Sequence, residues 1–217
     1  MELGGVPLER VDVALGGLEF SLWRAVELER FVDAAALLGA DAAPEPPYWM
    51  HLWPGALTLA RRLADVATAI GPATRVLELG CGLGLPALVA ARRGAAVVAS
   101  DWHRAPLTVV ARSAADNGDR VACVQMDWRA PAVAGGFDLC LGADVAYDQT
   151  GAPALAAALA ALVRRGGRVW LADSVNTARA TLAEALTAHG FAVEQTEVGE
   201  IEDGRRVWVR LIEATRR

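Results

Sequence analysis

A glycine-rich segment preceded by an acid is the first place in this sequence where residue types and spacing could do chemistry. The segment reads Glu78-Leu79-Gly80-Cys81-Gly82-Leu83-Gly84 and directly follows an apolar run that is typical of a β-strand. Glycines permit a tight turn and let backbone N–H groups approach a ligand closely. The dinucleotide fingerprint G-x-G-x-x-G would need a glycine where Leu85 stands. The segment is therefore interpreted as a site for another ligand. A dinucleotide site and a plain glycine-rich turn are the alternatives.

Further acids follow the next three predicted strands. Asp101, Asp127 and Asp144 each stand just after a strand-like run, so that with Glu78 four successive strands end in an acid. Ligands of open α/β sheets bind at the carboxyl ends of the strands. A carboxylate at Asp101 can accept hydrogen bonds from both hydroxyls of a ribose, and Asp127 can accept one from an exocyclic adenine amine. The four acids together are more specific for a nucleoside site than any one of them.

Alternating strand and helix patterns predict the sheet that would position these acids. Strands are predicted over 75–79, 96–100, 121–126, 137–142 and 168–172, and helices over 57–70, 85–93, 105–117, 153–164 and 177–189. Two strand-like runs, 191–198 and 205–212, flank the hairpin signal Glu202-Asp203-Gly204. Repeated strand–helix units predict an α/β fold with a mostly parallel sheet, helices on both faces and a C-terminal antiparallel hairpin strand.

The first 45 residues are predicted to be a small N-terminal extension of the same folding unit. Strand-like runs at 11–15 and 18–23 flank Gly16-Gly17, which indicates a hairpin, and 27–38 has helical spacing. The prolines between residues 44 and 47 cannot continue a helix. We therefore predict an extension over 1–45 and the main domain over 46–217.

Composition excludes several functional classes. The chain has 217 residues, of which 54% are hydrophobic, and it carries a net charge of −5 without any lysine. This hydrophobicity is typical of a folded domain and not of a disordered chain. An acidic chain without a basic tail is a poor nucleic-acid binder, and no apolar run approaches the ~20 residues of a membrane span.

Cysteine and histidine usage indicates reduced thiols and no metal site. Cys81, Cys123 and Cys140 are odd in number and lack metal-ligand spacing, as do the three histidines. The start of the chain has neither a basic segment nor an apolar stretch, so no signal peptide is expected. We predict a cytoplasmic protein without a metal ion.

The motifs together resemble a known family. The segment 76–91, with Asp101, Asp127-Trp128 and Asp144-x-x-Tyr147, resembles the class I, seven-strand methyltransferases that depend on S-adenosylmethionine (SAM) and have a Rossmann-like sheet. It resembles more narrowly the family 16 protein-lysine methyltransferases, which carry an acid-x-x-Tyr motif after the fourth strand. The segment 47–55 is similar to the one before the first helix in the group that methylates the electron transfer flavoprotein β-subunit. The likeness extends from about residue 46 to the C-terminus.

The resemblance implies SAM as cofactor and a role for each motif residue. The residues it places around the cofactor are Trp53, Glu78, Gly80, Cys81, Gly82, Gly84, Asp101, Trp102, Asp127, Trp128 and Ala143. Asp101 would hold the ribose hydroxyls, Trp128 would border the adenine, Trp53 would close over the cofactor, and the Ala143 backbone would lie near the sulfonium. Asp144 and Tyr147 would be catalytic and face the substrate amine.

The substrate implied by the resemblance is a protein that carries a target lysine, but other interpretations fit the same residues. A small-molecule amine or heterocycle could be methylated in a closed pocket lined by tryptophans near the N-terminus, and a catalytically silent binding module is a third possibility. Asp144 could instead cap the helix that follows it, and Tyr147 could pack against the sheet edge. Nucleic-acid amino-methyltransferases resemble one another in an Asn/Asp-Pro-Pro-aromatic motif that residues 144–147 lack, so no nucleic-acid substrate is predicted.

Overall fold

The computed structural model describes residues 2–3, 6–26, 47–65, 70–145, 151–174, 180–202 and 204–217. The helix predicted over 27–38 and the candidate catalytic residue Tyr147 lie outside these ranges. A small antiparallel sheet comes first and consists of β1 (Glu2–Leu3), β2 (Val6–Leu15) and β3 (Leu18–Ala25). The Gly16-Gly17 turn joins β2 to β3, with φ of +54° and +79°, so the predicted hairpin is confirmed with longer strands.

A seven-stranded sheet forms the centre of the molecule. Its strands are β4 (Arg75–Leu79), β5 (Ala96–Asp101), β6 (Val121–Gln125), β7 (Phe137–Ala143), β8 (Val163–Ser174), β9 (Phe191–Glu202) and β10 (Arg205–Arg216). They lie in the order β6-β5-β4-β7-β8-β10-β9. Strands β4 to β8 are parallel, and β10 is inserted between β8 and β9 and runs antiparallel to both. The predicted α/β fold and its C-terminal hairpin are confirmed.

Helices cover both faces of this sheet, as predicted. They are α1 (Pro54–Asp65), α2 (Leu85–Arg92), α3 (Arg104–Asn117), α4 (Ala152–Leu162) and α5 (Ala180–Ala188). Buried leucines of α1 and α2, with Val110 of α3, pack against one face, and buried leucines of α4 and α5 pack against the other. Among the described helices, none is long and apolar enough to cross a membrane.

Several predicted boundaries were wrong. The strands of the C-terminal hairpin extend to Glu202 and Arg216, four residues beyond the predicted ends at 198 and 212. The first helix begins at Pro54 and not at residue 57, because proline is tolerated in a first helical turn. That helix was also predicted to reach Ile70, which is not helical. Strand β8 begins at Val163 and not at residue 168, because Val163 pairs with Phe137 of β7 across an irregular register, and α4 therefore ends at Leu162.

The N-terminal sheet packs directly on α3. The Ser21 backbone N–H donates to Asn117 Oδ1 at 2.9 Å, and Asn117 Nδ2 donates back to the Ser21 carbonyl at 2.7 Å. The side chains of Phe20 and Leu22 are buried in the cluster that also contains α1 and α2. These contacts join β2 and β3 to the same core that supports the strand ends of the central sheet.

Candidate functional site

The glycine-rich segment forms a loop, residues 80–84, between β4 and α2. Gly80, Gly82 and Gly84 have φ of +59°, +50° and +72°, a region of backbone conformation that residues other than glycine rarely adopt. A Cβ on Gly82 would lie 3.3 Å from the carbonyl oxygen of Trp49. The Cys81 N–H donates to the Ser100 carbonyl at 2.9 Å, which fixes the loop to β5. The loop, here called the cradle, is therefore a tight glycine turn, as predicted.

Asp101 lies beside this loop at the end of β5. Its Oδ2 accepts the Gly82 N–H at 3.2 Å, and its Oδ1 accepts the His103 N–H at 3.0 Å. Burial raises the pKa of the Asp101 carboxyl, and the two backbone N–H groups oppose that rise. Each oxygen keeps a second lone pair. The carboxylate thus orders the loop and retains acceptor capacity for a ligand.

Glu78 is buried beneath the loop, with 1% of its surface exposed. Its Oε2 accepts the backbone N–H of Ala87 in the first turns of α2 at 2.9 Å. Burial raises the pKa of the Glu78 carboxyl to about 8, although the Ala87 hydrogen bond opposes that rise. The structure thus gives Glu78 a partner in α2, so that it joins β4 to the helix that follows the loop.

Replacing Glu78 with glutamine is expected to flatten the pH dependence of stability. Because the pKa is about 8 in the folded chain against an ordinary value of 4.5, the folded chain holds a proton between these values that the unfolded chain has released. This contribution to the free energy of unfolding is complete below pH 4.5 and is lost as the pH rises to about 8. We expect the melting temperature of Glu78→Gln to fall less steeply over this range than that of the wild type. Two parallel profiles would contradict the raised pKa.

The carboxylate of Asp127 is held by its own neighbour. Arg129 Nη2 lies 2.7 Å from Asp127 Oδ2, and the Arg129 backbone N–H donates to Oδ1 at 2.9 Å. The guanidinium lowers the pKa of the Asp127 carboxyl. Trp128 lies 3.6 Å from the place where a Cβ on Gly80 would stand, so the indole flanks the glycine loop. The predicted contact of Asp127 with an adenine amine stays a prediction, since Arg129 shares that carboxylate.

Two further residues predicted around the cofactor lie at neighbouring strand ends. Trp102 follows β5, is 51% exposed and contacts the ring of His103 edge-on at 5.0 Å. Ala143 ends β7 and pairs with Ala172 of β8. Both positions are consistent with the expectation that the candidate residues gather at the carboxyl edge of the sheet.

Residues 47–53, here called the strap, lie against the glycine loop. A short 3-10 helix spans Tyr48–Met50, and Trp53 Nε1 donates to the Tyr48 carbonyl at 2.8 Å. The side chain of Met50 is buried next to Leu83 of the loop and Val109 of α3. The strap is thus folded on itself and seated on the cradle. Sequence reasoning selected Trp53 but missed Met50.

Asp144 has an unusual backbone and two engaged oxygens. Its φ of +50° is the one positive value among the described residues other than glycine. Its Oδ2 accepts the N–H of Gly55 in the first turn of α1 at 3.0 Å. Its Oδ1 accepts from the backbone N–H and from the hydroxyl of Ser174, at 3.0 and 3.3 Å. Burial raises the pKa of the Asp144 carboxyl, which these donors oppose.

Asp144 therefore joins the ends of β7 and β8 to the start of α1. The described partners of Asp144 lie in α1 and β8, and residues 146–150, where a cap on the following helix would form, lie outside the described residues. Gly55 makes this junction possible, since a Cβ there would lie 2.3 Å from the Ala172 carbonyl and 2.4 Å from Asp144 Oδ2. Sequence reasoning missed Gly55 and Ser174. The glycine directly after Pro54, at the start of a helix, was the sequence feature that could have indicated a close backbone approach there.

The three thiols are free, with Cys81 and Cys140 buried and Cys123 half-buried. Burial raises the pKa of the Cys81 thiol well above its usual range, and the nearby Glu78 and Asp101 carboxyls add to the rise. The Cys81 side chain is thus a buried, neutral thiol. Among the described residues, no group of three or more potential ligands is arranged to hold a metal ion.

A family model described as lysine methyltransferase matches residues 48–180, more than half of the chain. The matched range contains the strap from Tyr48 onward, the glycine loop, Asp101, Asp127 and Asp144. It therefore contains most of the carboxyl edge described above.

Two relatives share part of the sequence. The chain is 36% identical over 107 residues to the electron transfer flavoprotein beta subunit lysine methyltransferase of Danio rerio, covering 48% of this chain and 40% of that protein. It is 30% identical over 141 residues to the ubiquinone biosynthesis O-methyltransferase of Parvibaculum lavamentivorans, covering 64% and 53%. The chain spans about half the length of the curated relatives it matches.

A solved structure shares the fold. The magnesium protoporphyrin IX methyltransferase of Synechocystis PCC 6803, solved with bound SAM, matches with a TM-score of 0.61 at 22% identity. The match covers 75% of this chain and 78% of that one.

Proposed function

The chain belongs to the lysine methyltransferase family of seven-stranded, SAM-dependent methyltransferases, and from that premise we propose that it N-methylates a lysine side chain of a protein. The observation that carries the proposal is the family match over 48–180, which includes both the cofactor cradle and Asp144. The flavoprotein-directed relative, itself a lysine methyltransferase, supports the same choice.

The residues at the carboxyl edge suit SAM. Gly80 and Gly82 present backbone in the left-handed region, and a Cβ on Gly80 would lie 2.8 Å from Val145 Cγ1. The Asp101 carboxylate beside them has lone pairs for the two ribose hydroxyls. Trp128 and Trp102 supply aromatic surface at the neighbouring strand ends, where the adenine would lie. When bound, SAM supplies a methyl group on a positively charged sulfonium.

The chain's own part in the reaction is alignment and charge. Methyl transfer requires the nucleophile to be held in line with the methyl group, which is a matter of positioning more than of acid–base strength. A lysine amine has an ordinary pKa near 10.4, so it must first lose a proton, to water or to a neighbouring carboxylate, before it can attack. Asp144 joins β7, β8 and α1 where the amine would enter, and its carboxylate gives this edge the negative charge that attracts a cationic side chain.

A second candidate is methylation of a small molecule. The O-methyltransferase relative, at 30% identity over 141 residues, favours it. In this case the tryptophans of the strap would line a closed pocket instead of bordering a protein groove. A silent binding module fits less well, because the three loop glycines and Asp101 are all present.

Methyl transfer from labelled SAM into a lysate of the source organism separates these candidates. The lysate is incubated with the purified protein, and label is resolved by size and then by mass spectrometry of any labelled band. We expect label on a lysine of one or a few proteins, and none with an Asp101→Ala control. Label confined to small molecules would support the second candidate and contradict the proposal, and label in neither fraction would support a silent module.

A further inference from the structure

A side-chain contact joins the strap to the end of the edge strand β9. His51 Nε2 lies 3.3 Å from Glu202 Oε1, although the two residues are 151 positions apart in the chain. A protonated Nε2 donates to this carboxylate oxygen, which can accept it. Both side chains are somewhat more than a quarter exposed, at 28% and 29%. The contact therefore lies at the rim of the carboxyl edge, where it can form and break without unfolding the core.

On the strap, His51 packs among residues that border the glycine loop. The His51 ring packs edge-on against the Trp53 ring at 4.7 Å, and Trp53 is hydrogen-bonded back to Tyr48. The Trp49 backbone faces Gly82 closely enough that a Cβ on that glycine would lie 3.3 Å from it. A displacement of His51 would therefore be transmitted to the residues that border the glycine loop.

Glu202 lies in a hairpin that other contacts hold in place. Glu202 is the last residue of β9, which is paired with β10 without a break in register from Phe191 to the hairpin. Two residues earlier on the same face, Glu200 is 5% exposed and binds Arg61 of α1 through Oε2 at 3.1 Å. The hairpin is thus tied to α1 by a separate ion pair, and it stays in place when the contact with His51 opens.

We propose that His51 and Glu202 form a latch that holds the strap over bound SAM, and that SAM dissociates when this latch opens. The proposal rests on the SAM dependence of the family but not on a lysine substrate. Both are positioning residues, since they act on the cradle through Trp53 and Trp49. The latch gives the β9–β10 hairpin a part in cofactor retention.

Stopped-flow measurement of SAM dissociation tests the latch, with the fluorescence of the strap tryptophans as the signal. Loss of one hydrogen bond at a partly exposed rim is expected to raise the dissociation rate of Glu202→Ala about 3- to 10-fold, with an equal rise in Kd. The melting temperature should stay at the wild-type value. The matched control is Glu197→Ala, which removes an exposed carboxylate from the opposite face of the same strand, where it pairs with Arg210 at 3.4 Å. We expect the control to release SAM at the wild-type rate.

A double-mutant cycle then asks whether the two residues act as one unit. If the latch exists, His51→Ala raises the rate similarly, and the double variant is no faster than the faster single variant. Independent, additive effects, or a wild-type rate in Glu202→Ala, would overturn the proposal. If Glu202→Ala lowers the melting temperature, the nearly isosteric Glu202→Gln takes its place. We expect a smaller rise in the SAM dissociation rate for this variant. A wild-type dissociation rate would again contradict the latch. Failure of the lysine proposal leaves these rates unchanged, so the two ideas fail separately.

Discussion

Replacement of Asp101 with alanine is expected to weaken SAM binding by about 10- to 100-fold, the range for a lost charge-assisted hydrogen bond of about 1.5–3 kcal/mol. The change acts in two ways. It removes the carboxylate proposed to accept from the ribose hydroxyls, and it frees the Gly82 N–H, which the carboxylate holds at 3.2 Å. Isothermal titration calorimetry with SAM measures the effect. An unchanged affinity would contradict the placement of the ribose at Asp101.

Asp138 provides a matched control for this experiment. It too accepts a backbone N–H from a neighbouring strand, that of Arg75 at 2.8 Å, but at the opposite edge of the sheet. Asp138→Ala should therefore lower the melting temperature through the lost hydrogen bond and the lost ion pair with Arg164, and leave SAM affinity at the wild-type value. If both variants lose affinity equally, the effect of Asp101 is one of general stability and not of cofactor binding.

Local patterns in the sequence were sufficient to predict the central sheet and the cradle. Strand β4 begins with Arg75 and is then apolar except for Glu78, and the glycines after it demand a left-handed backbone that few other residues tolerate. These signals depend on neighbours in the chain. The Asp127–Arg129 pair is equally local, at two residues' spacing, and could have been predicted from the same stretch.

The partners of Asp144 could not be predicted in this way. Gly55 and Ser174 are 89 and 30 residues distant in the chain, and nothing in the local pattern links them to Asp144. The helix-cap alternative assigned Asp144 the role of an acceptor for backbone N–H groups, and the described donors come from α1 and β8, which are near in space and not in sequence. The His51–Glu202 contact could not be predicted for the same reason, because no local pattern relates a histidine to an acid 151 residues away.

Replacement of Asp144 with alanine is expected to reduce turnover by roughly 100-fold at saturating SAM, as for other misplaced reacting groups. The structure also predicts a cost in stability, from donors that the sequence did not identify. The N–H groups of Gly55 and Ser174 would lose their acceptor, at about 1–3 kcal/mol for each that stays buried and unsatisfied. The melting temperature should therefore fall together with activity, while SAM affinity, measured well below that temperature, should stay near wild type.

Asp144→Gly and Asp144→Asn separate the backbone from the carboxylate. Glycine relieves the positive φ of +50° but still removes the carboxylate, so it should regain some of the melting temperature and none of the turnover. Asparagine tolerates the left-handed region and keeps one acceptor oxygen, but its Nδ2 amide would face the other backbone N–H, so it should lose less stability than alanine without matching the wild type. Its neutral amide cannot hold a substrate ammonium by charge. A stable Asp144→Asn enzyme with wild-type turnover would show that the carboxylate acts only as the junction of β7, β8 and α1. Loss of turnover with the fold and SAM affinity intact would place its charge at the substrate amine.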